Sequence, residues 1–172
     1  MGRKFIPVVT PYKAPYAAIG MITGQVGTED ETIYGTGALI RGNAVLTCAH
    51  NFYHKHYNKD GELISQEKVR NLKFHPCPLG EMEKQKAVVG KPYYLDDYVQ
   101  TEKDEHNKFD FAILELAEDL SEYGSFSIDS SPDNYEPGRE TLILAGYPYE
   151  EKDRPKNIRM YEDKNVGSDP SP

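Results

Sequence analysis

The stretch that most limits the fold runs from Tyr34 to Asn51, Y-G-T-G-A-L-I-R-G-N-A-V-L-T-C-A-H-N. Two short apolar runs, Ala38-Leu39-Ile40 and Val45-Leu46-Thr47, flank Arg41-Gly42-Asn43. Short apolar runs separated by turn residues read as a β-hairpin. Its turn is expected to use positive φ at Gly42 or Asn43, as tight hairpin turns do. Directly after the second strand comes Thr47-Cys48-Ala49-His50. A lone histidine is most often structural, so His50 acquires a chemical meaning only from other parts of the chain.

Those parts are also β-like. Ala17–Val26 reads as a first strand and Gly27-Thr-Glu-Asp-Glu as a turn or loop. Val69–His75 reads as an alternating strand stopped by Pro76-Cys77-Pro78, and Lys86–Leu95 as a further strand. Phe109-Asp110-Phe111-Ala112-Ile113-Leu114-Glu115-Leu116 is a strongly apolar run headed by an aspartate, and Thr141–Tyr147 is another, terminated by Pro148. Phe52 to Asp60 reads as a polar and aromatic loop, Asp96 to Glu105 as a solvated acidic surface, and Ser121 to Pro137 as a long connection. With no long helical periodicity and no internal repeat, the expected fold class is all-β.

Bulk properties narrow the function. A chain of 172 residues can bury a real core. A net charge of −8 argues against nucleic-acid binding, which calls for a basic surface. No run of 18 apolar residues suggests a membrane span, and the N-terminal Met1-Gly2-Arg3-Lys4-Phe5-Ile6 has neither a secretory nor a myristoylation pattern. The compartment is left open. Two cysteines, Cys48 and Cys77, make no disulfide framework and read as small, partly buried thiols whose pairing the sequence leaves undecided.

Asp110 follows His50 by 60 residues. An aspartate heading an apolar strand is costly to bury without a partner, and an imidazole N–H is a suitable one; the ordinary reading is a strand-capping carboxylate. His50, His54 and His56 beside Cys48 could also be offered as metal ligands. His50 and His54 would share a face only on a helix, and no second cluster at zinc spacing follows, so no metal or cofactor is expected.

Taken together, G-T-G-A-L-I, then L-T-C-A-H-N, then D-F-A-I-L-E-L resembles the histidine and aspartate blocks of trypsin/chymotrypsin-like serine peptidases. Leu144-Ala145-Gly146-Tyr147-Pro148 and Met160-Tyr161-Glu162 are similar to the segment opening the second barrel of the glutamyl endopeptidase-like branch. Phe74-His75-Pro76-Cys77 falls where such proteins have an F-x-P-G-like element, with Cys77 in place of glycine, and Asn51 stands where the trypsin group often has a cysteine. The resemblance implies two β-barrels with the site between them: a first barrel over about residues 17–130, complete, and a second only begun over about 138–172. It implies His50 as general base and Asp110 as the carboxylate orienting it, a protein or peptide substrate, and a protein inhibitor as a possible partner; a specificity role for the loop between the two blocks is conceivable.

One departure is plain. The family's G-D/N-S-G-G/S-P nucleophile motif is absent. Ser168 and Ser171 lie in G-S-D-P-S-P, too close to Met160-Tyr161-Glu162, while Ser121, Ser125, Ser127, Ser130 and Ser131 read as loop residues. The expectation is a serine endopeptidase whose nucleophile is not in this chain, a truncated product being the simplest explanation. The alternative is an inactive, peptidase-like binding module.

Overall fold

The computed structural model describes residues 6–27, 31–79, 85–101, 106–128, 142–147 and 160–166. A two-residue strand, β1 (Ile6–Pro7), is followed by β2 (Ile19–Val26), β3 (Glu31–Arg41) and β4 (Ala44–Thr47). Next come β5 (Tyr53–Tyr57), β6 (Leu63–Lys68), β7 (Arg70–Pro76), β8 (Val88–Tyr94), the short helix α1 (Asp96–Gln100) and β9 (Ala112–Leu116). The last two strands are β10 (Leu142–Gly146) and β11 (Tyr161–Val166). Six of these close into an antiparallel barrel in the order β2-β3-β4-β9-β8-β7, with β7 returning to β2. Outside it, β5 and β6 form a hairpin, and β1-β11-β10 form a three-stranded sheet.

Alternation explains the barrel. Side chains on a strand point alternately to its two faces. On β9 this turns Ala112, Leu114 and Leu116 inward, and on β7 Leu72 and Phe74. They meet Leu39, Val45 and Val88 in a core where Leu39, Val45, Phe74 and Leu114 are fully buried. Strand β2 is apolar on both faces. Ile22 and Val26 join the barrel core, whereas Ile19 and Met21 pack with Val8, Tyr147 and Met160 in a second cluster. That cluster seats the three-stranded sheet against the barrel, and Tyr147 N–H donates to Thr36 Oγ1 at 2.9 Å.

The hairpin expected at Arg41–Asn43 is present, with Leu39 opposite Val45 and Arg41 opposite Ala44. Its turn differs from expectation, because neither Gly42 nor Asn43 is among the residues with positive φ. Glycine is suited to position 42 for room: a Cβ there would fall 2.9 Å from Asp119 Cγ, and the Gly42 carbonyl accepts from Leu120 N–H at 2.7 Å. Cys77, in contrast, holds φ +44°, the left-handed region that favours glycine.

Two local expectations are corrected. The segment Tyr53–Tyr57 is a strand, not a loop, paired with β6 from Tyr53 opposite Lys68 to Tyr57 opposite Leu63, with a bulge after His56. Within the acidic stretch, 96–100 is helical and Tyr98 is only 2% exposed; positions 102–105 lie outside the described residues. A further strand stands where the sequence offered no strand signal: 161–166 is polar in composition and is paired through its backbone to β10 and β1.

Candidate active site

His50 owes its position to a tightly held turn. Strand β4 ends at Thr47, Cys48 stays extended, and Ala49–Asn51 make one turn of 3-10 helix. Ala49 and Phe52 are buried on the core side. Asn51 Nδ2 donates to Thr47 Oγ1 at 2.8 Å, and Thr47 Oγ1 donates to the Thr36 carbonyl at 2.8 Å. Asn51, noted in the sequence only for standing where a cysteine often does, is therefore the polar anchor of the turn. With both flanks pinned, His50 points outward, its side chain 57% exposed.

Asp110 arrives from the neighbouring strand. β4 and β9 pair with Thr47 opposite Ala112, so the residues just after β4 and just before β9 meet at one end of the barrel. Asp110 Oδ1 accepts from the His50 backbone N–H at 2.9 Å, and Oδ2 pairs with His50 Nδ1 at 2.7 Å. An ionised carboxylate only accepts, so the neutral ring carries its proton on Nδ1. Nε2 is left with a free lone pair, the arrangement a general base requires. Thus the structure brings together both residues singled out in the sequence.

A cleft of about 650 Å³ opens beside the pair, lined among others by Tyr34, His50, His54, Lys55, Tyr98 and Asp110. Lys55 Nζ donates to the carbonyls of Tyr98 (2.5 Å) and Thr101 (3.0 Å), tying α1 to β5. Burial pulls the Lys55 ammonium below its ordinary pKa. His54 and His56 alternate along a strand with ring centroids 4.4 Å apart. Burial, then the neighbouring His56, pushes the His54 pKa down. The helical i, i+4 pairing of His50 with His54 does not arise.

The donor atoms that do converge are Cys48 Sγ, a His50 ring nitrogen and an Asp110 oxygen, all within 4.8 Å of one another. Both cysteines are free thiols. Burial, and then the Asp110 charge, raise the Cys48 pKa, so Cys48 is protonated at neutral pH and a poor nucleophile.

Among the described residues no serine lines this cleft. Ser121 sits by the Gly42 turn, its N–H donating to Asp119 Oδ1 at 2.7 Å, and Ser127 lines a different cavity with Ile40 and Phe126. Ser130, Ser131, Ser168 and Ser171 lie outside the described residues.

No family model matches the sequence, and no curated protein matches it. Solved structures do. The chain superposes on a Glu endopeptidase solved in complex with MPD with a TM-score of 0.65 at 19% identity, over 94% of this chain and 66% of that one. It superposes on HL collagenase with a TM-score of 0.62 at 12% identity, over 93% and 61%. A scabies mite inactivated protease paralogue matches with a TM-score of 0.54 at 14% identity, over 94% and 60%. The chain thus spans 60–66% of the length of these structures. The closed six-stranded barrel and these superpositions together show that the chain has the trypsin-like serine peptidase fold, with the region of the second barrel represented, among the described residues, by the sheet of β1, β11 and β10.

Proposed function

We propose that this chain carries the base half of a serine endopeptidase site, with His50 as general base and Asp110 as its orienting carboxylate. The observation that carries this reading is the double engagement of Asp110 with the His50 backbone N–H and with Nδ1. His50 Nε2 would take the proton of a serine hydroxyl as that oxygen attacks a peptide carbonyl. It would then return the proton to the departing amine, while Asp110 stabilises the imidazolium between the two events. The segments assigned are about 17–130 as the first barrel and about 138–172 as the start of a second. The substrate is a protein or peptide lying across the cleft beside His50. Similarity to a Glu endopeptidase supports the glutamyl endopeptidase-like branch as the nearest pattern.

The nucleophile is assigned to none of the serines that are described. A second reading, a binding module without turnover, is favoured by the same observation, that no described serine lines the cleft.

The two are tested on the 172-residue protein with an activated ester and a serine-directed organophosphonate. The expected result is slow ester hydrolysis that depends on His50, with no covalent phosphonate adduct. An adduct on a described serine would overturn the exclusion of those serines, and one on Ser130, Ser131, Ser168 or Ser171 would place the nucleophile within this chain. A rate unchanged in His50→Ala would overturn the base. Tight peptide binding with no His50-dependent chemistry would favour the binding module.

A further inference from the structure

The turn that carries the base also holds a sulfur donor that the acyl-transfer chemistry does not use. Cys48 lies two residues before His50, half-buried, with Sγ in the same cluster as His50 and Asp110. We propose that Cys48, His50 and Asp110 form a three-ligand site for a borderline-soft divalent cation of the zinc type, and that filling it switches off the base.

The donor set selects the ion. One sulfur, one imidazole nitrogen and one carboxylate oxygen suit zinc, which accepts three protein ligands plus a water in open sites. Magnesium and calcium prefer all-oxygen sets. Bonds of about 2.0 Å to nitrogen and oxygen and about 2.3 Å to sulfur place tetrahedral donors roughly 3.3–3.8 Å apart. The three atoms here lie within 4.8 Å of one another, so the longest separation closes by about an ångström while the 2.7 Å Nδ1–Oδ2 pair opens by about half an ångström, both through side-chain rotation. His50 is 57% exposed and free to turn that far.

The geometry also says which atoms bind and what that does. Nδ1 is the ring nitrogen facing Asp110, at 2.7 Å, and is therefore the ligand. Asp110 divides its roles: Oδ1 keeps the His50 backbone N–H, and Oδ2 turns from Nδ1 to the cation. The ring proton moves from Nδ1 to Nε2, and the Cys48 thiol gives one proton to solvent. Thiolate, carboxylate and a divalent cation then sum to zero charge. With its proton on Nε2, His50 has no lone pair to offer a serine hydroxyl. This last consequence rests on the base role proposed above; the cation site does not.

Cobalt(II) is the probe, since a thiolate ligand gives it a near-ultraviolet charge-transfer absorption. The protein is titrated with cobalt in a phosphine reductant. One equivalent is expected to produce the band, zinc to abolish it, and Cys77→Ala to retain it. Cys48→Ala should lose the band, and Asp110→Asn should bind at least about tenfold more weakly. No band from the unaltered protein, or a band that survives in Cys48→Ala, would overturn the site. Zinc should also suppress the His50-dependent ester rate of the unaltered protein and of Cys77→Ala, with sensitivity lost in Cys48→Ala. A cobalt band accompanied by a zinc-insensitive ester rate would keep the site and overturn the switch.

Discussion

Gly35 packs its backbone directly against the carboxamide of Asn51: a Cβ on Gly35 would lie 2.6 Å from Asn51 Cγ, and it would also crowd Oδ1. Asn51 is buried and bonded to Thr47, so it has little room to withdraw. The distance between β3 and the turn bearing His50 is thus set by a missing methyl group. Gly35→Ala is expected to cost about 1–3 kcal/mol in urea unfolding, the range for overpacking. Removing the opposing amide in Gly35→Ala/Asn51→Ala should recover part of that cost. Strict additivity of the two substitutions would show that this contact does not set the turn.

The His50–Asp110 pair makes a spectroscopic prediction. A proton held between Nδ1 and a carboxylate oxygen at 2.7 Å should give a far-downfield imidazole N–H resonance. Asp110→Asn presents an amide that cannot accept from both the backbone N–H and Nδ1, so the signal should vanish. Ester hydrolysis by His50 should fall in parallel, by about a hundredfold where general-base catalysis is fully expressed. Persistence of the resonance in Asp110→Asn would remove Asp110 from the orienting role proposed for it.

His75 predicts an acid-sensitive barrel. It is buried on β7 with Nε2 at 3.0 Å from Thr23 Oγ1. Burial lowers its pKa to about 4, with the Lys86 backbone partly opposing the effect and the Lys73 charge adding to it. The folded value lies below the unfolded one of about 6.5, so the unfolded chain takes up the proton first. The contribution is complete above about pH 6.5 and is lost as pH falls toward 4, in total about 3 kcal/mol. Between pH 7 and pH 4.5 the urea midpoint should drop further for the unaltered protein than for His75→Gln. Equal drops would contradict this.

Leu114 should be the most expensive single truncation on β9. It is fully buried and fills the space over Gly90, where a Cβ would strike its side chain. Leu114→Ala is expected to cost about 2–5 kcal/mol, from lost burial plus the cavity left behind. Ile64→Ala, on the exposed β6, should stay within about 0.5 kcal/mol. Comparable costs at the two positions in thermal or urea unfolding would mean that the barrel interior is not where the stability resides.

Parts of this molecule were legible in the sequence because their signals are local. The alternation of Leu39 and Val45 about a turn, and the apolar run behind Asp110, announce strands through a period of two. The hairpin of β5 and β6 was not legible. Tyr53-His54-Lys55-His56-Tyr57 and Leu63–Lys68 have no apolar face, since their cohesion comes from backbone pairing. The same holds for Tyr161–Val166, polar in composition and a strand only because β10 and β1 lie beside it. The anchoring role of Asn51 carried no signal, because it depends on Gly35 of β3 as well as on Thr47 four residues before it.

By itself the sequence determined the all-β class, the hairpin before His50, and the residue types available to the site. Only the tertiary structure decided how those residues are placed. The proton on His50 Nδ1 is held by a carboxylate 60 residues away, which reaches it because β4 and β9 pair with Thr47 opposite Ala112. No local propensity encodes that pairing. Closing the barrel does, since Val45 lies opposite Leu114 in the core and a one-residue slip of β9 would turn Leu114 out to solvent.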